Sequence, residues 1–227
     1  MTVVSDLNLL RIFQISQREM VGVFGGTFDP IHFGHLKAVS AVQIQLSLSR
    51  ILLIPSYIPP HRSIPTTEPK HRIAMIQSAI KSMPRLVCDD REIRRGGISY
   101  TLLTVQELRQ EFGETPLFLI LGLDSFLDLP RWHRWSEILD HVHIIVMKRP
   151  GWVLPSSLPD WWQDAAEENL GNLQEKSYGH VYCMSVPSIN ITSTGIRHQL
   201  SRDAHVNDAL PSSVLSYIRR HQLYGNQ

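Results

Sequence analysis

The chain has 227 residues, of which 43% are hydrophobic and 19% are charged, and 22 basic against 21 acidic side chains leave a formal net charge of +1. This length suits one substantial core, and the balanced charge gives no reason to expect a nucleic-acid or membrane partner. The two cysteines, Cys88 and Cys183, lie far apart without metal-ligand spacing, which favours free thiols over a disulfide framework or a zinc site.

Short apolar runs alternate along the chain with segments of helical period. The predicted strands are 20–24, 50–55, 86–90, 117–122, 143–149 and 180–187, and the predicted helices are 34–48, 71–83, 101–112, 136–141, 193–200 and 212–223. Strands that are apolar on both faces and separated by helices lie in parallel with right-handed crossovers. The sequence therefore predicts an α/β fold with a doubly wound parallel sheet.

One domain accounts for this alternation, over residues 20–225, with residues 1–19 as an N-terminal extension. The extension has no continuous apolar run of the secretory kind, and no window reaches the roughly 18 to 20 apolar residues of a membrane span. We therefore expect a cytoplasmic protein. Residues 151–176 interrupt the alternation and are predicted to form a surface excursion, with Trp152, Trp161 and Trp162 packed against the domain.

The stretch GVFGGTFDPIHFGHL directly follows the first predicted strand and has the features of a phosphate site. Gly25 and Gly26 can take positive φ and approach a ligand closely. The following helix aims its N–H groups and positive dipole end at the same place, where His32 and His35 can add two donors. A plain turn followed by two unrelated histidines is the alternative, since the spacing matches neither common phosphate-loop fingerprint, and a metal site lacks a third ligand.

The stretch NITSTGIR, residues 190–197, places hydroxyls and an arginine at the start of a later helix. Ser193 and Thr194 either cap that helix or face a ligand. Arg197 lies three to four residues into that helix, on the turn that faces whatever lies at its N-terminus, and its planar fork suits the oxygens of a polyphosphate.

Eight segments together carry a resemblance to a known family. In chain order they read GGTFDPIHFGHL, IPPHR, KHRIAMI, SYTLLT, LGLDSF, LPRWHRW, VMKRPG and ITSTGIR. In that order, over residues 21–223, the chain resembles the bacterial nicotinate-nucleotide adenylyltransferases. The resemblance implies a single-domain, Rossmann-like nucleotidyltransferase fold. It also implies transfer of the adenylyl group of ATP to nicotinate mononucleotide, which gives nicotinate adenine dinucleotide and pyrophosphate in NAD biosynthesis.

The resemblance extends to individual site residues. The implied ATP-binding residues are Gly25, Gly26, Thr27, Phe28, His32, His35, Gly122, Asp124, Ser193, Thr194 and Arg197, of which His32, His35 and Arg197 are expected to be catalytic. The residues expected to bind nicotinate mononucleotide are Thr101, Trp132, His133, His61 and Arg62. His133 departs from the family, which commonly has tyrosine there, and Thr192 stands where serine is usual.

The chemistry suits residues that bind anions. The acceptor phosphate is already mostly ionised at pH 7, so no protein base is needed. Mg²⁺ is expected on the ATP phosphates, without a metal cage of protein ligands. Three alternatives stay open: nicotinamide mononucleotide as acceptor, phosphopantetheine as acceptor, and a non-catalytic nucleotide-binding regulator. The sequence leaves a homo-oligomer possible.

Overall fold

The computed structural model describes residues 19–60, 65–148, 159–187 and 190–225, and a single parallel sheet runs through them. Its strands are β1 (Val21–Gly26), β2 (Arg50–Pro55), β3 (Leu86–Cys88), β4 (Leu117–Gly122), β5 (His143–Lys148) and β6 (Val181–Ser185). Every neighbouring pair is parallel, and the order is β3-β2-β1-β4-β5-β6. The predicted doubly wound sheet is confirmed.

Helices cover both faces of the sheet. Those in the described residues are α1 (Phe33–Gln45), α2 (Pro69–Ile80), α3 (Arg91–Arg95), α4 (Thr101–Phe112), α5 (Leu123–Leu127), α6 (Asp160–Ala165), α7 (Leu170–Glu175), α8 (Ser193–Leu200) and α9 (Ser212–Arg220). The sequence prediction lacks α3 and α5, because five residues make little more than one turn and show no periodicity. The helix predicted at 136–141 is instead a 3₁₀ helix, Trp135–Asp140, and a second one covers Leu129–Arg131.

The alternation of side chains along each strand builds two apolar layers, one on each face. Ile51 and Leu53 of β2 point into the layer beneath α1, α2 and α9, while Leu52 and Ile54 point into the layer beneath α4 and α5. Burial of both faces explains why these strands read as continuous apolar runs.

In the region 151–176, predicted as a surface excursion, the structure describes residues 159–176. Residues 160–165 and 170–175 form α6 and α7, and Trp162 is buried against Phe126, with ring centroids 4.6 Å apart. Trp161 packs on Trp135 at 4.8 Å. The prediction that these two tryptophans pack against the domain is therefore right, while Trp152 lies outside the described residues.

The strand order reverses beside β1, which pairs with β2 on one side and with β4 on the other. In doubly wound sheets this reversal opens a crevice at the carboxyl ends of the strands, where ligands bind. Among the helices described here, none is long and apolar enough to cross a membrane.

Candidate active site

Two cavities open at the carboxyl edge of the sheet, on either side of the end of β1. The first has a volume of about 460 Å³ and lies against the first turns of α1 and α8. The second, about 400 Å³, lies against the start of α4. Both are lined by Gly25, Gly26, Thr27, Leu121, Asp124 and Ser125. Ligands in the two cavities would therefore meet at one shared wall, formed by the ends of β1 and β4.

His32 and His35 form one unit at the start of α1. His32 is the N-cap, and its Nδ1 accepts from the His35 N–H at 3.4 Å, while His35 Nδ1 accepts from the His32 N–H at 3.3 Å. The rings stack with centroids 3.7 Å apart, and both residues line the first cavity. An accepting Nδ1 puts the ring proton of a neutral imidazole on Nε2. The pair thus combines a reciprocal helix cap with two potential Nε2 donors.

Gly34 makes this stacked pair possible. A Cβ at Gly34 would lie 2.9 Å from Cε1 and Nδ1 of His32, closer than side chains approach one another. The helix starts at Phe33, one residue earlier than predicted, and Gly34, one of the two residues between the histidines, is constrained by the His32 ring. The spacing of the two histidines in the sequence gives no sign of this steric constraint on Gly34.

The backbone of Gly25 and Gly26 differs from the predicted one. Gly25 and Gly26 are the last residues of β1 and pair with Ile54 and Pro55, and neither has the positive φ that we expected. The left-handed backbone falls instead at Phe28, with a φ of 48°. A Cβ on Gly25 would meet no protein atom within 4 Å, whereas a Cβ on Gly26 would lie 3.2 Å from the Phe28 ring. Phe28 itself is buried and lines neither cavity, so its side chain does not reach a ligand there.

Two buried charged side chains that the prediction missed fix the loop that follows β1. Arg72 is only 1% exposed; it donates to the carbonyl of Thr27 at 2.8 Å and to that of Thr67 at 3.2 Å. Asp29 is 3% exposed and accepts from the N–H of Thr66 at 2.9 Å. The segment KHRIAMI carried a signal for Arg72, because helical spacing places it on the same face as the buried Met75, Ile76 and Ala79.

The start of α8 corrects the predicted cap. Thr192 is the N-cap and accepts from the N–H of Gly195 at 3.0 Å, whereas the Ser193 hydroxyl donates to the carbonyl of Pro30 at 3.0 Å. Arg197 donates to the carbonyl of Asp29 at 2.7 Å. Ser193, Thr194 and Arg197 all line the first cavity. The structure therefore brings both predicted anion-binding segments, 163 to 168 residues apart, to the same cavity.

Gly122 and Asp124 lie at the end of β4, where the same cavity meets the second one. Gly122 is the N-cap of α5, and a Cβ there would lie 2.6 Å from Oδ1 of Asp124. The glycine thus leaves room for the carboxylate of Asp124, which is exposed and lines both cavities.

The second cavity brings Thr101 and Trp132 together at the start of α4. Tyr100 is the N-cap of α4, and its side chain makes no capping hydrogen bond. His133 does not line this cavity: it is exposed, and its ring packs on the Tyr100 ring with centroids 4.3 Å apart. His61 and Arg62 lie outside the described residues.

Glu92, a residue that the prediction missed, lines this cavity as a 7% exposed carboxyl. The Thr104 hydroxyl donates to its Oε1 at 2.6 Å and accepts from Arg95 at 3.0 Å. Burial raises the pKa of Glu92, and hydrogen bonds from the Thr104 and Ser99 hydroxyls oppose that rise. Ser99 in turn accepts from the N–H of Tyr57 at 2.8 Å. This network anchors the segment that leads into α4.

Comparison with known proteins places the chain in a family. A model of the cytidylyltransferase-like family matches residues 23–199, and the chain belongs to that family. Within it, a nicotinate-nucleotide adenylyltransferase of Escherichia coli O6:H1 is 39% identical over 211 residues, 91% of this chain and 99% of the relative. The resemblance to bacterial nicotinate-nucleotide adenylyltransferases that the motifs predicted is confirmed.

Solved structures show the same fold. Two structures of Plasmodium falciparum nicotinic acid mononucleotide adenylyltransferase, complexed with APC and with NaAD, align with TM-scores of 0.68 and 0.69. Both are 16% identical to this chain and cover 91% of it and 97% of their own length. Structural similarity at 16% identity supports the fold alone. The inference of function therefore rests on the site and on the relatives of higher identity.

Proposed function

We propose that this protein transfers the adenylyl group of ATP to nicotinate mononucleotide, forming nicotinate adenine dinucleotide and pyrophosphate. The observation that carries the proposal is the wall shared by the two cavities, from Gly25 to Thr27 and at Asp124 and Ser125. Joining two nucleotides requires their reacting phosphates to meet while their bases stay apart. The names of the nearer relatives agree with this reaction.

The first cavity suits ATP. His32, His35 and Arg197 supply donors to it, and the first turns of α1 and α8 face it. Neither helix has an acidic residue in its first turn, so both positive ends favour anions. These groups would bind the β- and γ-phosphates and stabilise the charge that grows on pyrophosphate as it leaves. Gly122 and Asp124 would contact the ribose at the other end.

The second cavity suits the mononucleotide. Trp132 would stack on the pyridine ring, and the uncapped start of α4 at Thr101 would donate to the nicotinate carboxylate. A carboxamide would turn its own N–H groups toward these donors and leave some of them unpaired. Because an unpaired buried donor costs about 1 to 3 kcal/mol, one or two of them would give a preference for the nicotinate form of about fivefold to about 10⁴-fold.

The reaction needs alignment more than acid–base chemistry. An oxygen of the acceptor 5′-phosphate attacks the α-phosphorus of ATP, a new P–O bond forms, and the bond to the β-phosphate oxygen breaks. The attacking phosphate is mostly ionised at pH 7. The substrate would be ATP with Mg²⁺ on its phosphates, an ion that keeps several waters and takes few protein ligands. His32, His35 and Arg197 would supply the remaining positive or donor groups.

The test measures pyrophosphate and dinucleotide formation from ATP and Mg²⁺ with nicotinate mononucleotide, nicotinamide mononucleotide and phosphopantetheine in turn. We expect the highest kcat/KM with nicotinate mononucleotide, and a smaller preference over the nicotinamide form in Thr101→Val, which lacks the hydroxyl. Equal values for the two mononucleotides would refute the preference. Faster turnover with phosphopantetheine, or ATP binding without turnover, would refute the proposed reaction.

A further inference from the structure

Tyr224, close to the end of the described residues, contacts Asp29 in the loop that follows β1. Tyr224 follows α9, and its hydroxyl donates to Oδ1 of Asp29 at 2.6 Å, across 195 residues of sequence. The backbone of Tyr224 is in the left-handed region, with a φ of 63°, which is costly for a bulky residue and persists where tertiary contacts hold it. The contact therefore depends on the packing of the C-terminal segment.

Asp29 accepts hydrogen bonds from three distant parts of the chain. Its Oδ2 accepts from the N–H of Thr66 at 2.9 Å and from the Thr66 hydroxyl at 3.1 Å, while Oδ1 accepts from Tyr224. Its carbonyl accepts from Arg197 at 2.7 Å. A buried carboxylate without its donors is strongly destabilised, so the position of Asp29 depends on these partners. Any displacement of Asp29 would shift the carbonyl that orients Arg197.

We propose that Tyr224 is a positioning residue for the ATP site, which acts through Asp29 on the loop from Thr27 to Pro30 and on the Arg197 guanidinium. The short distance is typical of a hydroxyl donating to an ionised oxygen. Burial and the neighbouring Asp29 charge raise the pKa of Tyr224, so the phenol remains a donor across the physiological range. The proposal concerns the ATP cavity, because Asp29 and Arg197 line it and neither lines the acceptor cavity.

The chain offers a matched control for this contact. Tyr217 of α9 is also a half-buried tyrosine near the C-terminus, but its hydroxyl lies 3.0 Å from Nδ1 of His71, away from both cavities. Tyr224→Phe and Tyr217→Phe each remove one hydroxyl that contacts a distant segment of the chain. A general loss of packing at the C-terminus would affect both variants alike.

The proposal rests on the proposed function only in naming ATP as the ligand. For Tyr224→Phe we expect kcat/KM for ATP to fall about tenfold, the effect of weakening one charge-assisted hydrogen bond. The KM for nicotinate mononucleotide should stay close to that of Tyr217→Phe. Calorimetric titration with a non-hydrolysable ATP analogue should show weaker binding by Tyr224→Phe alone.

A double-mutant cycle tests the route through Asp29. In an Asp29→Ala background, which lacks the acceptor, Tyr224→Phe should change analogue binding by less than twofold. Parent-like ATP binding by Tyr224→Phe, an equal effect of Tyr217→Phe, or additive effects of the two substitutions would each overturn the proposal. If the parent formed no dinucleotide, the proposed reaction would fail, while the analogue titrations would still decide the role of Tyr224.

Discussion

At the residue scale, the main feature is that hydrogen bonds within the protein orient the side chains of the candidate site. The Nδ1 atoms of His32 and His35 accept backbone N–H groups, and Arg197 donates to the carbonyl of Asp29. Each side chain is thereby limited to few orientations, which reduces the entropy lost when a polyphosphate binds. The histidine pair could both cap the helix and bind phosphate. Capping uses the Nδ1 atoms, and phosphate binding would use the Nε2 atoms.

Substitutions of His32 separate these two roles. Asparagine is a good N-cap, so His32→Asn should keep the helix start while it removes the Nε2 donor. We expect kcat to fall by about two powers of ten or more, with an unfolding free energy close to that of the parent. His32→Ala should lose a similar factor in kcat and also about 1 kcal/mol of stability. His198→Asn, at an exposed histidine of α8, is the control for steady-state kinetics and denaturant unfolding. A kcat within a few-fold of the parent in His32→Asn would remove His32 from catalysis.

Arg197→Lys tests the shape of the donor at constant charge. Lysine cannot donate in a planar fork, so it cannot hold the Asp29 carbonyl and a phosphate oxygen with the same geometry. We expect the Kd for ATP to rise about tenfold or more, the scale of one charged hydrogen bond. Arg202→Lys, at an exposed position just after α8, should leave the Kd unchanged. Unchanged ATP binding in Arg197→Lys would mean that this side chain serves only the packing of α8.

At the element scale, the starts of α1, α4 and α8 line the paired cavities, and so does the start of α5, which carries Asp124. Residues in the first turns of α1, α4 and α8 line them, and none of these helices has an acidic residue in its first turn. The positive ends of α1, α4 and α8 therefore face the cavities in which the proposed reaction would hold two polyanions side by side. The two short elements that sequence periodicity missed also have roles here: α3 brings Glu92 to the acceptor cavity, and α5 brings Asp124 to the shared wall.

Gly34→Ala tests how far the start of α1 depends on the stacked histidines. The added Cβ would lie 2.9 Å from the His32 ring, which is buried and has to shift. We expect kcat/KM for ATP to fall at least tenfold, since one ångström of misplacement can cost about a hundredfold. Gly171→Ala is a matched control, because Gly171 also follows an N-cap and its Cβ would lie 3.2 Å from the Asn169 side chain, far from the cavities. Equal kinetics in the two variants would contradict the steric argument.

At the scale of the whole molecule, the carboxyl and amino ends of the strands differ in the residues that they carry. The carboxyl ends of the strands carry the cavities, whereas the amino ends of β5 and β6 carry a buried histidine with no part in them. His143 is 0% exposed; its Nδ1 accepts from the N–H of His180 at 3.2 Å, and its Nε2 lies 3.1 Å from the carbonyl of Lys176. This arrangement requires a neutral ring, because a protonated Nδ1 cannot accept.

The neutral His143 predicts a loss of stability at mildly acid pH. Burial lowers the pKa of His143 from 6.5 to about 4 in the folded protein. Between these values the unfolded chain binds a proton that the folded chain does not, so the free energy of unfolding falls as the pH falls from 6.5 to 4. At 1.36 kcal/mol for each pKa unit, this one group accounts for a fall of about 3 kcal/mol.

The measurement is urea unfolding of the parent and of His143→Phe between pH 7 and pH 4. Phenylalanine keeps a ring beside Phe118 and His180 but has no titratable group. Carboxylates titrate in both proteins, so the difference between the two curves isolates His143. His205→Phe, at an exposed histidine, should follow the parent. Parallel curves for the parent and His143→Phe would show that His143 is not held neutral.

The amino-acid sequence by itself determined the sheet and many of the residues that line the first cavity. Strands buried on both faces read as apolar runs, so all six were recognisable, and β2 and β4 have the predicted bounds of 50–55 and 117–122. The segments around His32 and Arg197 were recognisable because their residues are neighbours in sequence and occupy helix starts. These features depend on local geometry, which a short window of residues contains.

Only the tertiary structure decided which distant residues support the site. Nothing local to Tyr224 indicates Asp29, and nothing local to His133 indicates that its ring packs on Tyr100 and not into the acceptor cavity. The wall shared by the cavities likewise exists only because β1 and β4 are adjacent in the sheet. In the sequence, 90 residues lie between the last residue of β1 and the first residue of β4. Such contacts depend on side-chain packing between elements, which has no period along the chain and therefore leaves no signal in a single sequence.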